Sequence, residues 1–445
     1  MKECNLSGGT KVFWWESATK TWGTVSPVSG PTDTPPCLIA TLSSTSAPSI
    51  GQLTGTVFAV GTRTTLRIYG QTADATAAAE LEHQFPYTAG TCPGTTGTRA
   101  VILATDSNYP DALSSAYLAR YLGTGTLLTP TGSLSTATLT AIHKEGITKV
   151  YVVGGDLALS TAVVDQLKST PADSCGGGAL PGTVKIQVTR IAGATAYTTA
   201  KDIAEKPPAS NVGTAAFSGA YAGTNGAGGD GRYNDTPGLA SAAPSSATAL
   251  PTAIVATGTG FQDAESASTM AYAERFPILL TTPSTLSPQV SSAIGTLGIR
   301  QVIVMGGQYA ISNAVVSSLE SLGVSVLRIA GATYSATSTE LAGFETASGG
   351  TGLGWTGTGS ISIARGTFFT DGLAGAVVAA DGPIAGAPEP LALTLSPTSV
   401  GSALATFLHA AGTTGIGGVS VTHFTILGGS LAITTTTVHS MEGDL

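Results

Sequence analysis

The chain has 445 residues, and only 10% of them are charged, against about 25% in a typical soluble domain. A net charge of −8 with 19 Lys and Arg excludes a nucleic-acid binder, which needs clustered cations along the phosphate track. The 42% hydrophobic content supplies a sizeable core, the length suits about three domains, and no run of about 18 apolar residues predicts a membrane span.

Residues 1–60 read as a small β-sheet unit of β-sandwich kind. KVFWWESATKTWGTV alternates and turns like a hairpin, and PPCLIATL and TGTVFAV are further strand-like runs broken by Pro and Gly. The opening MKECNLSGG lacks the apolar centre of a signal peptide, so secretion implies a leader already removed. The four cysteines, Cys4, Cys37, Cys92 and Cys175, have no zinc-ligand spacing. In a chain poor in Lys and rich in Thr, Ser and Gly they suggest disulfides Cys4–Cys37 and Cys92–Cys175 of an extracellular protein. Free thiols in a cytosolic protein are the alternative.

From residue 61 the elements alternate. ADATAAAELEHQF reads as a helix, AVILAT as a buried strand, YPDALSSAYLARYL as a helix and GTLLTP as a strand. SLSTATLTAIHKEG follows as a helix with Ser133 or Ser135 as N-cap and Gly146 past its end. KVYVVGG is the next strand, LSTAVVDQLKS a helix capped by Ser160, and TVKIQVTRI a strand leading onward. Short continuous apolar strands between helices predict parallel sheets covered on both faces, so each block is expected to be a flavodoxin-like doubly wound domain.

Three motifs then recur in fixed order. Arg-Ile-x-Gly stands at Arg67, Arg190 and Arg328. A strand followed by an aromatic, a polar residue, Asp and a small-residue helix places Tyr109, Phe261 and Phe369 two residues before Asp111, Asp263 and Asp371. A strand ending in Gly-Gly gives Gly154-Gly155, Gly306-Gly307 and Gly428-Gly429, each leading to a Ser or Thr that opens a helix. The copies are therefore 61–185, 186–325 and 326–445, the second carrying a Gly, Ser and Pro-rich insertion from about Pro207 to Pro251.

The ordered set Arg-Ile-x-Gly, Asp-Ala-Leu-Ser, Pro277-Ile278-Leu279-Leu280-Thr281 and Val-Val-Gly-Gly resembles the cell wall binding repeat 2 family over roughly residues 61–445. The resemblance implies a protein secreted by Gram-positive bacteria, with three tandem copies packed as a pseudo-threefold trimer of α/β domains. It also implies non-covalent attachment to anionic wall polymers. One departure matters: the family's second Arg, in x-Asp-Arg-Tyr, falls at Ala73, Ala196 and Tyr334. Losing three cations suits neutral glycan or protein contacts better than a polyanion.

Each candidate residue has a bland reading beside the functional one. Asp111, Asp263 and Asp371 either contact ligand at the strand ends or cap the following helix. Tyr109, Phe261 and Phe369 either stack on sugar rings or pack in an interface. Arg67, Arg190 and Arg328 either grip an acidic polymer or pair with an Asp and pin the copies together. The Gly-Gly pairs fit neither Gly-x-Gly-x-x-Gly nor a P-loop and read as tight turns. No histidine recurs in register, so no catalysis, cofactor or metal is expected, and Asp230, Asn234 and Asp235 give only a weak calcium pattern. The expected function is non-catalytic anchoring at the bacterial wall, the partner being wall polymer or glycan. The alternative is a self-associating surface-layer or filament subunit.

Overall fold

The structure, a computed structural model, describes the strand segments within residues 2–61 and residues 64–85, 99–174, 178–179, 184–216, 249–347, 352–355, 359–383, 387–413 and 421–444. Near the start, β1 (Lys2–Cys4), β2 (Lys11–Glu16), β3 (Thr21–Thr24), β4 (Val28–Ser29), β5 (Cys37–Ala40) and β6 (Phe58–Gly61) form two antiparallel sheets, ordered β1-β5-β4 and β3-β2-β6. The β2–β3 pair is the hairpin that alternation predicts, and the β1–β5 register sets Cys4 across from Cys37.

The first copy contains β7 (Thr64–Ile68), α1 (Ala73–Gln84), β8 (Ala100–Thr105), α2 (Ser115–Leu122), β9 (Thr126–Thr129), α3 (Thr136–Lys144), β10 (Lys149–Val153) and α4 (Thr161–Ser169). A small antiparallel pair, β11 (Asp173–Ser174) and β12 (Gly178–Ala179), follows it. The second contains β13 (Gln187–Ile191), α5 (Ala196–Ala204), β14 (Thr214–Ala215), β15 (Leu250–Thr257), α6 (Gln262–Ser266) and α7 (Ser268–Glu274). It continues with β16 (Ile278–Thr281), α8 (Pro288–Leu297), β17 (Gln301–Met305) and α9 (Asn313–Ser321). The third contains β18 (Ser325–Ile329), α10 (Tyr334–Thr346), β19 (Ser360–Arg365), α11 (Thr370–Asp381), β20 (Leu391–Thr394), α12 (Ser402–Thr413), β21 (His423–Leu427) and α13 (Thr435–Asp444).

These strands build three parallel sheets of one pattern: β9-β8-β10-β13, β16-β15-β17-β18 and β20-β19-β21-β7. Sequence repeat and sheet are offset by one strand. Each Arg-Ile strand completes the sheet of the preceding copy, while the helix after it packs on its own copy: α1 on β9, α5 on β16 and α10 on β20. The third sheet is completed by β7, from the first copy, which pairs with β21. The three sheets are thus joined in a closed ring.

The strands are apolar on both faces because helices cover both, and Val101–Leu103, Ala253–Ala256 and Val302–Met305 are fully buried. The helices α2, α7 and α11 pack on one another, and one core cluster joins Leu113 and Ala116 to Ala267, Met270 and Ala271 and to Leu373, Ala374 and Val377. Small residues let these helices approach closely. Separate clusters fill the outer faces. At the ends of the expected Pro207–Pro251 insertion, β14 pairs antiparallel with Leu250 and Pro251 of β15. Among the described residues no helix is long and apolar enough to cross a membrane.

Gly428 has φ +98°, and a Cβ there would sit 2.6 Å from the Asp371 Oδ2. Gly428→Ala is expected to destabilise the chain by about 1–3 kcal/mol. Gly155→Ala, where a Cβ meets open space, should be close to neutral. Chemical denaturation midpoints check the contrast, and equal effects would contradict it.

Candidate functional site

In a parallel sheet every strand delivers its carboxyl end to the same edge, where doubly wound proteins bind ligands. Here that edge gathers the three motifs. β8, β15 and β19 run into the aromatic and Asp, the adjacent β10, β17 and β21 run into Gly-Gly, and β13, β18 and β7 bring in Arg-Ile beside them.

Each arginine forks onto the Gly-Gly turn next to it. Arg67 donates from its two Nη atoms to the carbonyls of Gly428 (2.8 Å) and Ile433 (3.1 Å). Arg190 donates to Gly154 (2.6 Å) and Leu159 (2.7 Å), and Arg328 to Gly306 (2.5 Å) and Ile311 (2.7 Å). The carbonyl of the following Ile accepts the amide of the same glycine, at 2.9 Å for Gly154, 2.8 Å for Gly306 and 2.9 Å for Gly428. A planar guanidinium with parallel donors matches two carbonyls at the ends of one turn. Arg190 also meets Asp156 at 3.2 Å, but that carboxylate is 73% exposed, so the pair adds little.

The motif aspartates lie on the other side of those glycines, Asp111 against Gly154, Asp263 against Gly306 and Asp371 against Gly428. No side chain caps α2, α6 or α11, which corrects the N-cap reading of these residues. Asp263 and Asp371 stand inside the first helical turn and Asp111 precedes its helix, so none is placed to receive the first amides. Burial pushes Asp263 up to about 6, opposed by Arg328, and Asp371 up to about 6, opposed by Arg365.

Tyr109, Phe261 and Phe369, one from each copy, meet one another. Their ring centroids are 5.5, 5.9 and 6.1 Å apart. The Tyr109 hydroxyl donates to the Thr259 carbonyl (3.1 Å) and the Gln262 Nε2 to the Gly366 carbonyl (3.2 Å), tying first copy to second and second to third. Phe369 is buried, and the other two rings are half-buried. The structure therefore gathers the three aromatics into one hub.

Beneath the hub lies a group of acids that motif reading missed. Glu80 from α1 and Glu265 from α6 are almost fully buried against α11, where Gly375 and Gly372 leave room for their carboxyls. Neither oxygen of Glu80 has a hydrogen-bond partner among the described residues. Burial first, then Asp371 and Glu265, raise Glu80 well above the usual carboxylate range. Burial and Asp371 do the same to Glu265, opposed by Arg365 and the Gly372 amide. The Arg365 guanidinium lies 5.0 Å from the Phe368 ring centre.

Two further repeated contacts escaped the motif reading. Thr72, Thr195 and Thr333 cap α1, α5 and α10, and the amides of Gly70, Gly193 and Gly331 donate to Thr76, Thr199 and Thr337 at 3.0–3.1 Å. The fixed spacing of these threonines from Arg-Ile-x-Gly was the available signal. Leu157, Tyr309 and Leu431, three residues past the first glycine of each pair, are almost fully exposed. Among the described residues no group of three His, Cys, Asp or Glu side chains is arranged to hold a metal. Cys92, Cys175 and the 230–235 segment lie outside the described residues.

Residues 67–164 and 190–316, together just over half of the chain, match the family model for cell wall binding domain 2 (CWB2). Eighty residues, 18% of the chain, are 35% identical to part of N-acetylmuramoyl-L-alanine amidase LytC of Bacillus subtilis (strain 168), covering 16% of that protein. Cwp8 from Clostridium difficile matches with a TM-score of 0.59 over 85% of this chain and 51% of its own, at 18% identity. Cwp6 from the same organism matches with a TM-score of 0.60 over 86% of this chain and 49% of its own, at 16% identity. The chain spans about half the length of these solved proteins, and at such identity the likeness is one of fold.

The raised carboxyls set the sign of the pH response. Between about pH 4 and pH 6 the folded chain holds protons that the unfolded chain has released, so stability falls as pH rises through that window. Glu80→Gln and Glu265→Gln should flatten the fall and raise stability above pH 6. Denaturation midpoints measured from acid to mildly alkaline pH test this, and a stability that climbs with pH would contradict it.

Proposed function

We propose a wall-anchoring role for this chain, which belongs to the cell wall binding domain 2 family. It acts as a non-catalytic module at the surface of a Gram-positive bacterium, holding an attached protein through non-covalent contacts with wall glycan or polymer. The observation that carries this reading is that the same strand-end geometry, built on one clasp of Arg, Asp and Gly-Gly, recurs in each of three copies, so the chain offers three alike surfaces rather than a single catalytic cleft. The activity of the amidase relative is not transferred, because the match covers a small part of that protein.

The three units are read as flavodoxin-like blocks about a pseudo-threefold axis. Three sheets of one strand order, three mutually packed helices and the Tyr109–Phe261–Phe369 hub support that arrangement. The copies are read as bounded at 61–185, 186–325 and 326–445. With the arginines engaged by backbone carbonyls, hydroxyl, amide and aromatic groups near the strand ends are left for the ligand, which suits a neutral glycan. Asp111, Asp263 and Asp371 stay candidates for contact with its hydroxyls. A Cys4–Cys37 disulfide is supported by the register of β1 and β5 and fits a location outside the cell. The second reading, a self-assembling surface-layer or filament subunit, is favoured by the exposed apolar side chains on the Gly-Gly turns.

Sedimentation with purified Gram-positive cell walls should retain the chain with shallow salt dependence, because few cations take part. Absence from the wall pellet at every salt concentration would end the reading. Arg328→Ala should lower stability by about 2–3 kcal/mol by stripping two carbonyls of their donor, seen in denaturant melts. Full stability combined with lost wall retention would instead make that arginine a direct contact. Mass measurement with and without reductant should show a two-proton change for Cys4 and Cys37, and no change would remove the disulfide.

A further inference from the structure

Three large apolar side chains stand almost entirely in solvent: Leu157 at 97%, Tyr309 at 92% and Leu431 at 89% exposure, with no other large apolar residue among those described above 52%. Isolated exposed apolar residues need no explanation. These three are not isolated in that sense, because each occupies the same place, three residues after the first glycine of a Gly-Gly pair.

The turns that carry them are built alike and held firmly. Leu159, Ile311 and Ile433, two residues further on, are fully buried. Their amides donate to Gly155, Gly307 and Gly429 at 3.0, 2.9 and 3.1 Å, closing each turn. The arginine fork spans each turn from the first glycine to that same buried residue. The residue after it is fastened as well, Ser160 to Thr131 (2.9 Å), Ser312 to Pro283 (2.7 Å) and Thr434 to Pro397 (2.9 Å). A post on a backbone fixed in advance loses no main-chain freedom when it is covered, which lowers the cost of burying it against a partner.

The chemistry narrows the partner. The residue before each post is Asp156, Gln308 or Ser430, and none of the turns carries Lys. A polyanion finds no charge partner at the posts themselves. A single linear polymer strand cannot meet three posts standing around an axis in equivalent fashion, whereas a second surface of the same design can. Three fully exposed side chains of this size present on the order of 500 Å², more than half of the roughly 800 Å² that each partner of a stable pair contributes. Tyr69, which lies against Gly429, and Phe368, on the loop after β19, are half-exposed at the same strand ends and extend that surface. The low overall charge leaves little to repel a like molecule.

We propose that this face is a self-association surface on which two copies of the chain dock head to head, Leu157, Tyr309 and Leu431 of each supplying the buried centre of the contact. The pairing is isologous, each copy offering the same patch. It rests on the pseudo-threefold arrangement proposed above and not on wall binding.

Light scattering on the full chain, from micromolar to the highest soluble concentration, should show the mass rising from monomer to dimer. The combined variant Leu157→Asp, Tyr309→Asp and Leu431→Asp should stay monomeric over the same range with an unchanged melting temperature, because the sites are exposed. A wild-type chain that stays monomeric, or a variant that still dimerises, overturns the proposal. Wall sedimentation of the same variant separates the two readings: retention like wild type agrees with self-association, while lost retention in a chain that never dimerises assigns the posts to the wall ligand and overturns it. Failure of the wild type to bind walls would leave the light-scattering result standing by itself.

Discussion

At the first glycine of each Gly-Gly pair three chain segments come within contact distance, and no side chain fits. The backbone there is left-handed, with φ between +90° and +98°, and an aspartate carboxyl from the start of the segment after the neighbouring strand fills the space a Cβ would need. Both backbone polar groups of that glycine go to the same partner. Its amide donates to the Ile of the Arg-Ile strand and its carbonyl accepts from the Arg. One residue therefore fastens the strand of the next copy into the sheet of the last, and the three-sheet ring depends on this contact being made three times. Arginine suits the task because its fork satisfies two carbonyls at once and stays charged under all ordinary conditions.

The ring is not built from three interchangeable parts. Glu265 stands where the other copies have Leu113 and Leu373, and Glu80 stands where they have Ile203 and Leu341. Both acids turn toward α11, the helix with glycines at 372 and 375. A buried carboxyl in place of an aliphatic side chain weakens a core, more so as it ionises. What it gains is discrimination, because each acid sits where α11 has a glycine and a Cβ would collide with its carboxyl. The third copy is thereby marked as the neighbour of both α1 and α6, and the ring closes in one order.

Much of this was legible before any coordinates. The repeat, the strand and helix alternation, the N-terminal hairpin and the Ser135 cap all follow from local periodicity and capping chemistry. Three things were hidden. The one-strand offset between repeat and sheet depends on which distant strand β7 joins, and sequence spacing carries no record of that. The aspartates looked like caps because Asp before a small-residue helix usually is one, yet here the carboxyl is set against a glycine brought in by another strand. The apolar posts are hidden in the sequence because an apolar residue beside Ala-Leu or Ala-Ile reads as part of the same buried run. Only the turn geometry reveals that the run begins in solvent and then turns inward. Their signal was present as Gly-Gly-x-apolar-Ala-apolar in all three copies.

The positions where the family resemblance would place a second arginine fit the same logic. They fall on Ala73, Ala196 and Tyr334, each the first residue of a helix whose amides are already served by Thr72, Thr195 or Thr333. A cation at a helix start is opposed by the dipole and needs an anion to offset it. Tyr334 makes a structural contact there, its hydroxyl donating to the Leu395 carbonyl at 2.5 Å while its ring packs on Gly366. The Arg-Ile arginines differ, because the backbone itself is their partner. That difference sorts the two sets: the Arg-Ile arginines recur in all three copies with backbone carbonyls as their partners, while the three helix starts carry small or aromatic residues beside threonine caps that already serve the first amides.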